Sequence, residues 1–479
     1  MTQAAPVPWT ARTTLLPHQA EAVAKLLPAR VGALFMEMGT GKTRTTAELV
    51  RLRQGKIDHC VWFCPVALKE TIRREVLKHT SCTEDDIHVF DDRTSEGTVP
   101  AVRWYIVGIE SMSSSARVIF TVRRLISERS LVVVDESGYI KGARSRRTER
   151  ITLLAREARY RLILTGTPLS QGIVDLFAQM RFLSPKILGY RSFHQFCTNH
   201  IVWSERFPGM IEGEKNRAYL AERIRPYVYQ VTKDECLDLP DKLFASRYCT
   251  LTDAQAVAYA EAKERHLCEE YLFEDGWARS LAIFRLFTAL QRIVCGHQRR
   301  ADGSIASYPS RRLDLLLTVL RELPAGEPVV IWAKYRLSAA DIAAALIDEY
   351  GPVMVHQYHG GLSDGSRQAN LDDWRTHSGY LVATQACGGH GHDMTAARFA
   401  VYYANGFKYS ERQQTEDRMH RIGQTREPTY IDIWSSAGID ARVDKALTRK
   451  GNAVAAFRQE VEKVRRTNKD RVRRLISSL

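Results

Sequence analysis

The stretch FMEMGTGKTRTTAELV (residues 35–50) joins an apolar run to a helical pattern through a glycine-rich turn. Gly39 and Gly41 leave backbone N–H groups uncovered, so the turn can point several donors at one anion. Lys42 adds a cation, Thr43 adds a hydroxyl able to bind Mg²⁺, and a helix starting near residue 43 would add the positive end of its dipole. This is how a strand–loop–helix unit holds the β- and γ-phosphates of a nucleotide. The strict G-x-x-x-x-G-K-[ST] pattern fails here, because Met36 stands where its first glycine belongs.

The chain around this stretch has 479 residues, enough for two to four units at about 150 residues each. Its 44% hydrophobic and 26% charged residues are those of a globular protein. The sequence shows no apolar run of about 20 residues, and the first residues read as no secretion signal, so the expectation is a cytoplasmic protein without a membrane span. Nine scattered cysteines, none in a C-x-x-C pair, fit reduced thiols. The formal charge of +14 and pI near 9.4 point to a polyanionic partner such as nucleic acid.

Two segments alternate buried-strand runs with helical patterns. The first has VGALFM (31–36), HCVWFCP (59–65), RWYIVG (103–108), LVVVDE (131–136) and YRLILTG (160–166). The second has PVVIWA (328–333), VMVHQYH (353–359), GYLVATQ (379–385), AVYYANG (400–406) and YIDIW (430–434). Such alternation predicts parallel sheets. The expected division is an N-terminal lobe over 1–237 with a helical insertion at about 186–235, a helical connection over 238–310, a C-terminal lobe over 311–450 and a basic helical tail over 451–479.

Three further motifs carry chemistry. LVVVDES drives a buried strand into Asp135 and Glu136, placing two carboxylates at the edge where open α/β sheets bind ligands. Asp135 can hold Mg²⁺, and Glu136 can orient or deprotonate water. LILTGTPLS (162–170) ends another strand in small hydroxyl residues. In QQTEDRMHRIGQ (413–424), the spacing of Gln414, Arg418 and Arg421 predicts one helix face, and two arginines suit the charge of a transferring phosphoryl group.

In this order the motifs resemble superfamily-two helicase motors, and within them the Swi/Snf-type (Snf-two) family of DNA-translocating ATPases. MEMGTGKT looks like that family's phosphate loop, in which the first glycine is commonly absent. LLPHQAEAV looks like its adenine-reading segment, DESGYIK its acid box, LTGTPLSQ its LTGTP box, and DRMHRIGQ is nearly letter-perfect. The resemblance spans roughly residues 15–435 and implies an α/β fold of two recombinase-like lobes joined by helical insertions. It implies ATP and Mg²⁺ as cofactors and double-stranded DNA, with any protein bound to it, as partner. By resemblance Gln19, Gly39, Thr40, Gly41, Lys42, Thr43, Gly391, Asp393 and Gln414 contact nucleotide, Thr43 and Asp135 hold Mg²⁺, and Arg418 and Arg421 act as arginine fingers.

Lys334 and Thr384 become candidate DNA contacts by the same resemblance, and the basic run RSRR adds Arg144 and Arg146. Gly138 departs from the histidine many relatives carry after the acids, His392 and Asp393 stand in place of the usual Leu-Asn pair, and Gly391-x-Asp393 resembles the ribose-contacting pattern of other helicases in the superfamily. The implied activity is ATP-driven translocation on duplex DNA, with strand separation or fork annealing as the rival outcome and a DNA-binding scaffold with a vestigial ATPase as the rival class. The bare motor favours a bacterial or viral source, with a nuclear location if the source is eukaryotic.

Overall fold

The computed structural model describes residues 8–169, 172–205, 211–267, 277–300, 302–388, 392–454, 456–457, 460, 474–476 and 479. The chain forms two compact units, Met1–Asp238 and Leu239–Leu479.

The first unit is built on strands β1 (Val31–Met36), β2 (His59–Cys64), β3 (Ile87–Val89), β4 (Trp104–Gly108), β5 (Ser130–Val134) and β6 (Tyr160–Leu164), with a small antiparallel pair β7 (Ile201–Trp203) and β8 (Ile211–Glu214), and finally β9 (Val228–Val231). Seven of these form one sheet in the order β3-β4-β2-β5-β6-β1-β9. Every pairing in it is parallel. Near-continuous apolar strands are what a sheet covered on both faces requires. Alternate residues of β2 feed two separate cores, with Val61 and Phe63 on one face and Cys60, Trp62 and Cys64 on the other. Full burial of each such side chain stabilises the unit by about 1.5–3 kcal/mol.

The second unit carries β10 (Leu243–Cys249), a hairpin β11 (His297–Arg299) and β12 (Ile305–Ser307), then β13 (Val329–Ala333), β14 (Val355–Tyr358), β15 (Tyr380–Thr384), β16 (Phe399–Tyr402) and β17 (Thr429–Ser435). Its six-stranded sheet runs β10-β17-β16-β13-β15-β14, again all parallel. Val329, Ile331 and Ala333 enter one core while Val330 and Trp332 enter the other. A third apolar cluster packs the helices Asp253–Leu267 and Trp277–Val294 around Leu286, Phe287 and Ile439, and includes Leu479.

Two sequence expectations change. The 186–235 span is not only helical: it holds β7 and β8, and β9 joins the first sheet beside β1, with Met36 opposite Val231. The 238–310 span is not only a helical connection, since β10 supplies the edge strand next to β17 and β11–β12 form a hairpin. β10 escaped notice because an edge strand needs no apolar alternation, and its Phe244 and Tyr248 are exposed. The tail expected over 451–479 falls largely outside the described residues.

Candidate functional site: a phosphate loop and two carboxylates at adjacent strand ends

The helix α1 (Pro17–Leu26) and the helix α2 (Lys42–Arg51) flank the loop that follows β1. Gly39 and Gly41 both take left-handed backbone conformations, with φ of +84° and +88°. Side-chain-bearing residues rarely adopt that region, which explains the two glycines. Met36 remains inside β1 with its side chain fully buried in the core. The turn therefore begins after it, and no glycine is needed at that position. Lys42 Nζ folds back to donate to the Met36 carbonyl at 2.9 Å and the Glu37 carbonyl at 3.3 Å.

Gln19, expected to contact adenine, braces the loop. Its Nε2 donates to the Thr40 carbonyl at 3.1 Å, and its Oε1 accepts from the Leu16 N–H at 3.1 Å. His18 meets the same Thr40 carbonyl through Nε2 at 2.8 Å. Sequence reasoning passed over His18, since only its fold contact reveals it.

Strand order brings the other motifs alongside, because β5, β6 and β1 are neighbours. The two acids follow β5, the LTGTP turn follows β6 and the loop follows β1. Gly166 closes on the loop: a Cβ there would lie 3.3 Å from the Met38 backbone nitrogen. Asp135 is buried, and its Oδ1 accepts from the Glu136 N–H at 2.9 Å. Burial, then the like charge of Glu136, pushes the Asp135 carboxyl up to about 7 against the pull of Lys42. Glu136 itself is left-handed, with φ of +47°. Gln179, which sequence reasoning missed, ties two motifs together: its Oε1 accepts from Ser137 Oγ at 2.6 Å and its Nε2 donates to the Pro168 carbonyl at 3.0 Å.

The donor set fits a divalent cation. Thr40, Thr45 and Thr46 each donate their hydroxyl to a nearby carbonyl. Thr43 makes no such bond among the described residues, and Asp135 is a buried carboxylate whose charge a cation would compensate. Oxygen ligands of this kind suit Mg²⁺.

In the second unit, the helix Tyr409–Glu416 ends before the arginines. Gln414 lies on it, whereas Arg418 and Arg421 lie in the turns beyond, so the three do not share a helix face. Arg418 N–H bonds the Thr415 carbonyl at 3.2 Å, and Met419 and His420 N–H both bond the Glu416 carbonyl at 3.0 Å, which closes the helix into a turn. Gln424 fastens that turn by donating to the Ala397 carbonyl at 3.0 Å. Arg418 is buried and its Nε donates to the Gln414 carbonyl at 3.2 Å. Asp393 accepts from Thr395 N–H at 2.9 Å and Oγ1 at 2.7 Å. Desolvation opposes its charge, yet Arg421 and these donors hold its carboxyl below the usual range. Gly391 lies outside the described residues.

Of the candidate DNA contacts, Arg144 and Arg146 are exposed, while the neighbouring Arg147 and Arg150 are spent on Ser113 and Met112. Thr384 ends β15 and is buried. Lys334 turns inward: its Nζ donates to Gln291 Oε1 at 2.7 Å and lies over the Phe407 ring.

Comparison with known proteins places this geometry. Residues 18–299 match the SNF2-related domain. The chain belongs to the SNF2-related family. Residues 311–423 of this SNF2-related chain match the helicase conserved C-terminal domain. An uncharacterized ATP-dependent helicase of Mycoplasma pneumoniae is 25% identical over 332 residues, covering 68% of this chain and 30% of that protein. The ATP-dependent DNA helicase DDM1 of Arabidopsis thaliana is 27% identical over 346 residues, covering 67% of this chain and 44% of that protein. The solved SWI2/SNF2 ATPase core of Sulfolobus solfataricus in complex with dsDNA is 21% identical, covering 98% of this chain and 99% of that one, with a TM-score of 0.44, too low to carry an argument. The SNF2-related chain spans about a third of the length of the first curated relatives it matches. Among its described residues no helix is long and apolar enough to cross a membrane.

Proposed function

We propose that the chain is an ATP-dependent translocase on double-stranded DNA, acting on DNA or on proteins bound to it. The observation that carries this reading is the placement of phosphate loop, acid pair and LTGTP turn at the C-terminal ends of three adjacent parallel strands in an SNF2-related chain.

The loop N–H groups and Lys42 hold the β- and γ-phosphates. Glu136 orients a water and takes its proton as the water oxygen attacks the γ-phosphorus, while the bond from that phosphorus to the β-bridging oxygen breaks and ADP leaves. Arg418 and Arg421 are the second unit's cations suited to the charge of a transferring phosphoryl group. A Mg²⁺ held by Thr43 and Asp135 would neutralise phosphate-oxygen charge. Gln19 acts by fixing the loop at Thr40. Arg144 and Arg146 hold DNA phosphates without reading bases, so sequence preference is slight. The reading places the protein with cytoplasmic DNA.

The test is ATP hydrolysis without DNA and with single-stranded, duplex and forked DNA. Strongest stimulation by duplex, with displacement of a triplex strand but no separation of the duplex, is expected. Absence of stimulation by every nucleic acid would sink the translocase reading.

A further inference from the structure

A second donor-rich site lies in the unit that lacks the phosphate loop. The helices α3 (Asp253–Leu267) and α4 (Trp277–Val294) meet β11 around a cavity of about 200 Å³. Arg265 comes from α3, Arg285, Thr288 and Arg292 from α4, and Gln298 and Arg299 from β11. Among the described residues no lining residue carries a carboxylate. Among the described residues none of the four arginines has an ion-pair partner. That contrasts with Arg312 and Arg412 in the same unit, which are paired to Asp440 and Asp432.

The arrangement holds the donors in place without spending them. Arg285 and Arg292 are seven apart on one helix and face the same side. Arg292 packs over the Tyr335 ring, 5.2 Å from its centroid, which fixes the guanidinium but leaves its charge uncompensated. Gln298 Oε1 accepts from Tyr308 O–H at 2.6 Å, so its amide N–H₂ is the end left to donate. Phe284, a further lining residue, is 49% exposed. Clustered arginines beside an open aromatic face are the combination that holds an unpaired nucleic-acid strand, with phosphates on the guanidinium groups and a base against the ring.

We propose that this cavity is an accessory site for the phosphates of an unpaired nucleic-acid strand, with Phe284 stacking one base. It would give the chain a grip on single strand at a junction, beyond the duplex contacts of the proposed translocase, and it does not depend on ATP hydrolysis.

The test uses the full chain and an oligothymidylate of about 15 nucleotides, read by fluorescence anisotropy across a salt series. Arg285→Glu with Arg299→Glu is expected to weaken binding about tenfold or more and to make the salt dependence shallower by about 1.4, the value for two lost single-strand phosphate contacts. Arg285→Lys with Arg299→Lys keeps the charge and should stay within about threefold of the original chain, which separates lost charge from lost folding. Phe284→Ala should weaken the oligothymidylate and leave an abasic strand of equal length unchanged. Unaltered affinity and salt slope in the double glutamate variant overturn the site. Competition by inorganic tripolyphosphate as effective as the strand, or duplex held through these arginines as tightly as single strand, overturns the unpaired-strand assignment. Stimulation of ATP hydrolysis by duplex is followed in the same preparations. Its absence in the unaltered chain would count against the translocase reading while leaving the affinity comparison intact.

Discussion

Gln19 and Thr40 are joined by a hydrogen bond of 3.1 Å from side-chain amide to loop carbonyl, and the Gln19 nitrogen lies 2.2 Å from where a Cβ on Gly41 would stand. The loop is thus shaped by a residue that the sequence pattern suggests for base reading. Gln19→Ala is expected to raise the KM for ATP and GTP by similar factors, because it loosens the phosphate grip without touching a base. The ratio of kcat/KM for the two nucleotides measures this. A selective loss for ATP would return Gln19 to the base. Gly41→Ala should be harsher, since a left-handed alanine costs about 1–2 kcal/mol and must also displace the Gln19 amide.

Glu136 gives a prediction in which stability and activity move apart. A non-glycine residue in the left-handed region costs about 1–2 kcal/mol, and glycine gives back roughly 0.5–1 of that through its freer unfolded chain. Glu136→Gly is therefore expected to stabilise the first unit by about 0.5–1 kcal/mol in urea unfolding while hydrolysis falls by about a hundredfold or more. Loss of stability in the glycine variant would mean that the backbone there is held without strain.

The pair of parallel sheets could be read from the sequence because VGALFM and LVVVDE carry their burial in themselves. The acids at Asp135 and the glycines at Gly39 and Gly41 were legible for the same reason: local spacing encodes the turn they sit in. What the spacing did not reveal was decided by contacts across the fold. The bond from Gln19 depends on where Thr40 comes to rest. The helix expected to carry Arg418 and Arg421 stops at Glu416, whose carbonyl also accepts from Tyr430 O–H at 2.9 Å. Gln179 has no motif around it, and it became visible only when its amide was found between Ser137 and Pro168.

Arg412 anchors the interior of the second unit. Its Nη2 meets Asp432 Oδ2 at 3.0 Å, its Nε meets Glu416 Oε1 at 2.8 Å, and its guanidinium carbon lies 3.4 Å from the centre of the Tyr402 ring. Removing the cation leaves Asp432 buried without its counter-charge. Arg412→Met should cost about 3–5 kcal/mol in urea unfolding of the second unit and leave the first unit's transition in place. Adding Asp432→Asn removes the stranded charge and should recover part of the loss. No recovery in the double variant would assign the effect to Tyr402 packing or to Glu416.

Lys334 is a half-buried cation whose site resists its charge. Desolvation, with Arg292 adding like-charge repulsion, outweighs the attraction of Glu411 and holds its pKa well below the lysine range. For a base whose folded pKa is depressed, the unfolded chain binds the proton more tightly. Stability therefore rises with pH from the folded pKa up to the unfolded value near about 10.4, and the penalty is present in full below that window. Lys334→Met is expected to raise the stability of the second unit by about 1 kcal/mol at neutral pH, since an apolar side chain fits beside Phe407 and Tyr335 O–H still donates to Gln291 Oε1 at 3.0 Å. The gain should shrink as the pH approaches about 10, where the folded lysine is neutral and the unfolded one has begun to lose its proton. Urea midpoints of the two proteins at about pH 7 and about pH 10 read this directly. A methionine variant that is less stable at neutral pH, or whose difference from the original chain does not change with pH, would show that the Gln291 bond and the Phe407 ring compensate the charge fully.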